Sequence, residues 1–170
     1  ASGVLDPINR SGDVNGVRWR DGAVSSSEGF REAYAAFCAN GWNGMPEDQQ
    51  YGGQGMPTLV STAVAEMWKG SNLAFSLCQM LTLGAAHALI HHGTEDLKAR
   101  YLAPMVDGRW TGTMNLTEPQ AGSDLAALRS RAVPEGDHYK VFGQKIFITW
   151  GEHDMAENIV HLVLARLPDA

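Results

Sequence analysis

The stretch MNLTEPQAGSD, residues 114–124, decides how the second half of this chain is interpreted. An apolar lead is followed by Pro119 and Gly122, residues that turn a chain tightly at the end of a strand. The same residue types also let a loop bring backbone N–H groups and hydroxyls against an anionic or planar ligand. The sequence on either side has to distinguish a plain turn from a ligand-binding loop.

Length and composition are those of an ordinary globular protein. The 170 residues are 44% hydrophobic and 19% charged, and a chain of this length can bury a core in about one domain. The net charge of −6 gives no electrostatic footprint for nucleic acid. Cys38 and Cys78 lie in apolar helical patterns without metal-ligand spacing, which favours reduced, buried thiols in a cytoplasmic protein over a disulfide. No signal peptide is evident, and both ends look cut, so we expect a piece of a longer protein.

Upstream of the deciding stretch, apolar residues recur with helical spacing. Residues 28–40 carry the stripe of an amphipathic helix, with Ser25 and Glu28 at capping-box spacing before it. Residues 57–70 predict a second helix with a broad apolar face. Residues 71–92 are apolar on all sides, which is typical of a helix central to a bundle, and polar residues interrupt them too often for a membrane span.

From residue 110 onward the hydrophobic pattern changes to that of strands. The segments that read as strands are 110–116, 128–133, 138–149 and 158–166. Glu135-Gly136-Asp137 has the composition of a hairpin turn. Helices followed by strands predict an α+β fold with segregated layers. We expect a helical bundle domain over residues 1–109 and the first strands of an antiparallel β-domain over residues 110–170.

Several motifs in sequence order carry a family resemblance. They are YGGQG at 51–55, HHGTEDLKARYLAPMVDG at 91–108, MNLTEPQAGSD at 114–124 and GQKIFITWG at 143–151. Together they resemble the acyl-CoA dehydrogenase family, flavoproteins that desaturate acyl-CoA thioesters. The resemblance covers nearly the whole chain. The closing stretch looks most like the branch that includes methylmercaptopropionyl-CoA dehydrogenases.

The resemblance implies that FAD is held partly by two segments of this chain. The positions that match the flavin-lining segments of the family are Met114, Asn115, Leu116, Thr117, Gly122, Ser123, Phe147, Ile148 and Thr149. On that pattern Thr117 would donate hydrogen bonds to the pyrimidine side of the flavin. Phe147 would pack on the ring, and Thr149 would place a hydroxyl near N5. Ser123 would also contact the CoA substrate.

The reaction implied by the resemblance is α,β-dehydrogenation, in which a carboxylate removes the α-proton and the β-hydrogen passes as hydride to the flavin. The catalytic glutamate of the family lies in its C-terminal domain, so we expect no catalytic residue here and no activity from the isolated chain. The resemblance also implies an acyl-CoA substrate, an electron-transfer flavoprotein as electron acceptor, and a homo-oligomer of the full-length protein. The alternatives are an acyl-CoA oxidase and a non-catalytic interaction module that kept the scaffold.

Some residues have a structural interpretation beside the functional one. Glu118 is explained more readily by hydrogen bonding within its loop than by proton abstraction. His87 and His91 have the i, i+4 spacing that zinc sites can use, but the lack of a third ligand favours a plain histidine pair. Many family members have Trp in place of Phe147 and Asn in place of Trp150. Without the resemblance, Phe147 would be assigned to core or cross-strand packing.

Overall fold

The computed structural model describes residues 1–168, in which helices come first and strands second. The α-helices of this region are Leu5–Asn15 (α1), Phe30–Ala39 (α2), Thr58–Ser71 (α3), Leu73–His92 (α4) and Glu95–Val106 (α5). Its strands are Arg18–Arg20 (β1), Ala23–Ser25 (β2), Trp110–Asn115 (β3), Arg131–Glu135 (β4), His138–Phe142 (β5) and Asn158–Val163 (β6). Short 3₁₀ turns occur at Gln49–Tyr51 and Leu125–Ala127. The predicted α+β fold is confirmed.

An aromatic core holds the helical half together. Its buried aromatic side chains are Phe30, Tyr34, Phe37, Trp68 and Phe75. The ring of Phe37 meets those of Trp68 and Phe75 edge-on, with centroids 4.7 and 5.7 Å apart. The Tyr34 hydroxyl donates a hydrogen bond of 2.9 Å to the carbonyl of Gly108. This buried hydroxyl therefore has a hydrogen-bond acceptor just before the first strand of the second half.

Helix α4 packs against both halves of the molecule. It contacts α3 and α5 on the helical side and β3 on the strand side. The Thr82 hydroxyl donates to the carbonyl of Cys78 at 2.9 Å and accepts the backbone N–H of Gly112 at 3.0 Å. A Cβ on Gly112 would lie 2.7 Å from both Ala85 Cβ and Met105 Cε. Only glycine lets β3 approach the helices this closely.

Within residues 1–168, α4 is also the one helix long and apolar enough to cross a membrane by length and composition. A single helix of this kind is weak evidence for a span, because the core helix of a folded domain has the same properties. Phe75, Cys78, Ala85 and Ala86 of α4 are buried. This packing favours the interpretation of α4 as a core helix.

Within the described region the strands form two-stranded sheets. The β4–β5 hairpin is antiparallel and turns at the predicted Gly136, and β1–β2 is antiparallel as well. Strands β3 and β6 are parallel, with Thr111 opposite Ile159. The antiparallel arrangement expected for these strands therefore does not hold for this pair. The intervening chain first returns to the helices, where the Trp150 indole N–H donates to the carbonyl of Ala74 at 2.8 Å, and such a return permits parallel pairing.

Two local predictions are wrong. The strand predicted over 138–149 stops at Phe142, because the chain beyond it is irregular and Phe147 has a left-handed backbone with φ of +57°. The predicted capping box before α2 is absent, since Ser25 ends β2 and the N-cap is Gly29 with φ of +84°. A Cβ on Gly29 would lie 2.8 Å from Ile8 Cγ2, so the contact with α1 determines how the chain enters α2.

Contacts cross the proposed domain boundary between residues 109 and 110. Asp154 accepts a hydrogen bond of 2.9 Å from the backbone N–H of Ser26. Met155 and Ala156 pack against the core of the helical half. The division into 1–109 and 110–170 stays a prediction.

Candidate functional site

The two segments that the sequence singles out, 114–124 and 143–151, lie side by side. The backbone N–H of Ile146 donates to the carbonyl of Thr117 at 3.0 Å. Lys145 Nζ donates to the carbonyl of Leu116 at 3.0 Å and to Glu118 Oε1 at 2.8 Å. Three consecutive residues of the first segment are therefore bound by two consecutive residues of the second.

Glu118 is a buried carboxylate with a full set of hydrogen-bond donors. Besides Lys145, it accepts the backbone N–H groups of Arg129 at 2.7 Å and Ser130 at 3.0 Å, and the side-chain amide of Gln120 at 2.6 Å. The hydrogen bond from Lys145, followed by those from residues 129 and 130, holds the pKa of Glu118 well below its usual range. These donors favour the ionised carboxylate and join three stretches of chain through it. This agrees with a structural role and makes Glu118 unsuitable as a proton acceptor.

The predicted plain turn is present within the deciding stretch, but it does not account for all of it. Backbone hydrogen bonds in both directions between Glu118 and Ala121 close a tight turn that contains Pro119. Gly122 and Ser123 follow this turn and are exposed. A Cβ on Gly122 would meet no atom within 4 Å, so packing inside the described chain does not require glycine there.

The remaining predicted cofactor residues lie on the same two segments. Partly exposed residues of these segments are Met114, Asn115, Leu116, Thr117, Ile148 and Thr149. Within residues 1–168, no hydrogen bond engages the side-chain hydroxyls of Thr117, Ser123 or Thr149. The backbone contact between Ile146 and Thr117 places the two segments next to each other.

Phe147 is the most unusual of these residues. Its side chain is 87% exposed, and its backbone φ of +57° lies in the left-handed region. A non-glycine residue in this conformation costs roughly 1–2 kcal/mol, and such strain is concentrated at ligand-binding sites. The interpretation of Phe147 as core or cross-strand packing is therefore wrong. An aromatic ring held in solvent beside uncommitted hydroxyls is suited to covering another flat ring.

These features fit an isoalloxazine, which has an apolar dimethylbenzene end and a hydrogen-bonding pyrimidine end. Phe147 can supply the apolar contact, and Thr117 and Thr149 can supply hydroxyl donors. The backbone N–H groups after β3 add further donors where the chain leaves the strand. The residues present therefore fit FAD, and the assignment of individual contacts stays a prediction.

The C-terminal end of the segment 143–151 is attached to the helices through Trp150. Trp150, like Phe147, has a left-handed backbone, with φ of +54°. Its indole lies 6.0 Å from the ring of Phe30 and 5.5 Å from that of His153, measured between centroids. His153 is itself buried and hydrogen-bonded to Thr111 of β3 at 3.0 Å. The chain that follows Phe147 is thus attached to the helical core through Trp150 and to β3 through His153.

Of the two histidines considered for zinc, His87 contacts a carboxylate and His91 is exposed. His87 Nε2 lies 2.9 Å from Glu47 Oε1, and the Glu47 side chain is almost fully buried. Burial raises the pKa of Glu47, while His87 acts in the opposite direction. His91 is exposed beside His92, with ring centroids 6.3 Å apart. No group of three or more potential metal ligands occurs among residues 1–168.

Cys38 and Cys78 are free thiols, as predicted, but only Cys78 is fully buried and Cys38 is partly exposed. Cys78 is buried on α4, and this burial raises the pKa of its thiol to about 12. Burial likewise raises the pKa of Cys38, which lies at the end of α2. Neither thiol has the lowered pKa of a reactive cysteine.

Comparison with known proteins identifies the family to which this chain belongs. Residues 18–109 match the family model described as acyl-CoA dehydrogenase, N-terminal domain. The chain belongs to the acyl-CoA dehydrogenase family, as the sequence motifs indicate. Over 168 residues it is 48% identical to the 3-methylmercaptopropionyl-CoA dehydrogenase of Ruegeria pomeroyi, a match that covers 98% of this chain and 29% of that protein.

Solved structures agree with this assignment. Glutaryl-CoA dehydrogenase from Mycobacterium smegmatis superimposes with a TM-score of 0.80 and 26% identity, covering 97% of this chain and 39% of that one. A structure described as the FAD complex of PigA superimposes with a TM-score of 0.69 and 26% identity, covering 86% of this chain and 36% of that one. The chain thus spans less than a third of the curated relative above and about two fifths of these structures.

Proposed function

We propose that this chain is part of an FAD-dependent acyl-CoA dehydrogenase that introduces a double bond between the α and β carbons of an acyl-CoA thioester. The observation that carries the proposal is the hydrogen bond between Ile146 and Thr117, because it joins two hydroxyl-bearing segments into one ligand-sized surface. When bound, FAD would supply the hydride-accepting chemistry.

The residues of this chain would bind and orient the cofactor. Thr117, with the chain from Met114 to Leu116, would donate hydrogen bonds to the pyrimidine side of the flavin. Phe147 would cover the ring and exclude water, and Thr149 would place its hydroxyl close to N5. Ser123 is assigned to the edge of the site that meets the CoA thioester. The exposure of Phe147 and the uncommitted hydroxyls support these roles.

The base that removes the α-proton is proposed to lie outside these residues. Glu118, the carboxylate inside the deciding stretch, is held as an anion by Lys145 and by backbone donors and has no free access to a substrate proton. We therefore propose that the isolated chain is inactive. Measurable dehydrogenase turnover by residues 1–170 alone would contradict this.

The setting of the enzyme is proposed from the family. We propose an acyl-CoA substrate, an electron-transfer flavoprotein as electron acceptor, a homo-oligomeric full-length protein and a cytoplasmic location. The 48% identity to a 3-methylmercaptopropionyl-CoA dehydrogenase favours the branch of that relative. A panel of acyl-CoA thioesters that includes 3-methylmercaptopropionyl-CoA would test the branch directly.

The experiment uses the complete protein that contains this chain. We expect a yellow protein whose flavin absorption bleaches without oxygen when an acyl-CoA is added. Colourless protein that FAD cannot reconstitute would refute the proposal. Flavin that binds but never bleaches with any thioester would indicate the non-catalytic module instead. Stoichiometric peroxide, in place of reduction of an electron-transfer flavoprotein, would identify an acyl-CoA oxidase.

A further inference from the structure

The ion pair between Lys145 and Glu118 differs from the other ion pairs in the strand region in its burial. Its side chains are 10% and 3% exposed, and the charged atoms lie 2.8 Å apart. The pair formed by Lys140 and Glu135 on the β4–β5 hairpin has a shorter distance of 2.6 Å, but its side chains are 60% and 46% exposed. An exposed pair contributes little, whereas removing one partner of a buried pair leaves an uncompensated charge.

The contacts of Lys145 are centred on one predicted cofactor residue. Its ammonium group binds the carbonyl of Leu116 and the carboxylate of Glu118, the neighbours of Thr117 on each side. The next residue, Ile146, binds the carbonyl of Thr117 itself. The backbone on both sides of the Thr117 hydroxyl is therefore fixed by residues 145 and 146.

The same contacts directly precede the left-handed backbone at Phe147. The chain enters its left-handed conformation one residue after Ile146, so residues 145 and 146 are the last attachment before the exposed ring. On the other side, Glu118 is bonded to the backbone of Arg129 and Ser130 just before β4. The ion pair thus connects the predicted hydroxyl contact, the predicted ring contact and the start of the β-hairpin.

We propose that Lys145 is a positioning residue for the flavin: through Leu116 and Glu118 it fixes the distance between the Thr117 hydroxyl and the segment from Phe147 to Thr149. This inference rests on the proposed function, since it assumes that these segments bind FAD. Lys145 itself points its ammonium group at the neighbouring chain and is assigned no contact with the cofactor. Its loss would let the two segments separate while each kept its own donors.

The test measures the dissociation constant for FAD in the complete protein, together with the visible absorption and circular dichroism of the bound flavin. We expect Lys145→Met to raise this constant by at least about tenfold, because a buried carboxylate is left without its partner. At saturating FAD, the flavin bands of the variant should also be shifted and less structured than those of the wild type. A role in folding alone would not change the bands of the flavin that remains bound. Lys140→Met, which removes the exposed pair, is the matched control and should leave both readings unchanged.

A second variant covers the case in which Lys145→Met does not fold. The double variant Glu118→Gln with Lys145→Met removes both charges and should fold, yet still bind FAD more weakly with altered bands. Wild-type affinity and bands in either folded variant would overturn the positioning role while leaving FAD binding intact. Failure of both variants to fold would also overturn it, in favour of a role in folding. Wild-type protein that binds no FAD would refute the proposed function and this inference with it.

Discussion

His153 Nε2 and Thr111 Oγ1 lie 3.0 Å apart in the interior. The hydrogen bond at the second ring nitrogen of His153 determines which of these two atoms is the donor. Nδ1 of His153 accepts the backbone N–H of Met155 at 3.1 Å, so the proton of the neutral ring is on Nε2 and is donated to Thr111. Burial lowers the pKa of His153, although Glu152 and Asp154 act in the opposite direction. The hydrogen bonds at both nitrogens therefore require a neutral imidazole.

We expect the chain to lose stability on acidification because of His153. The unfolded chain takes up a proton near its ordinary pKa of about 6.5, whereas the folded chain does so only at lower pH. In that window the unfolded state binds more protons, so the free energy of unfolding falls as the pH falls. Urea unfolding at a series of pH values should show this slope, and His153→Gln should reduce it. His138→Gln, on the exposed hairpin, should keep it. An unchanged slope in His153→Gln would contradict the assignment.

Two glycines, Gly53 in the YGGQG motif and Gly70 in α3, should respond to alanine substitution with opposite changes in the free energy of unfolding. A Cβ on Gly53 would overlap the backbone carbonyl of Glu47, so Gly53→Ala should destabilise the chain by about 2–3 kcal/mol. Gly70, near the end of α3, has open space around it and no left-handed backbone. Gly70→Ala should therefore stabilise by about 0.5–1 kcal/mol. Denaturant midpoints of the two variants check this, and equal effects would argue against close packing of the loop.

The junction between α4 and β3 can be tested at Thr82. Thr82→Val keeps the shape of the side chain but leaves the buried N–H of Gly112 without an acceptor, which should cost about 1–3 kcal/mol. Ser76→Ala is the control, because the Ser76 hydroxyl donates only to the carbonyl of Asn72, the N-cap of the same helix. Equilibrium unfolding of both variants should show the larger loss for Thr82→Val. A loss no greater than that of Ser76→Ala would show that β3 does not depend on this bond.

Phe147 allows stability to be separated from cofactor binding. Phe147→Gly relieves the left-handed strain, so the free energy of unfolding should stay within about 1 kcal/mol of the wild-type value. In the complete protein the same change should weaken FAD binding, because the cover of the ring is lost. Fluorescence titration with FAD measures the second effect, with Phe142→Ala on β5 as the control. A variant that loses stability but binds FAD normally would contradict the proposed role.

Three of the helices were predictable because apolar residues recur with helical spacing in residues 28–40 and 57–70 and occur on all sides of residues 71–92. Residues 71–92 are expected to be a central helix, and α4 spans Leu73–His92 between its neighbours. The β1–β2 hairpin could also have been found, since Asp21-Gly22 is a strong two-residue turn signal and both residues have positive φ. Helices and hairpins that depend on nearby residues can therefore be predicted from the sequence. Their exact ends depend on contacts such as that between Gly29 and Ile8.

The site was predictable only in part, because its geometry depends on distant contacts. The composition of residues 143–149 favours a strand, but the docking of Trp150 on α4 and the left-handed Phe147 override that preference. The motifs indicated that the two segments belong together, and the bond between Ile146 and Thr117 shows that they are adjacent. Lys145 carried no comparable signal, because a lysine that pairs with a buried carboxylate looks the same in sequence as a solvated one.

The parallel pairing of β3 with β6 has a consequence for synthesis of the protein. Ribosomes add about 5–20 residues per second, so β3 emerges several seconds before its partner, which is encoded about 40 residues later. During that interval the nascent chain presents an unpaired strand edge to other polypeptides. Anything that slows translation between these two strands prolongs the period in which chaperones are most needed.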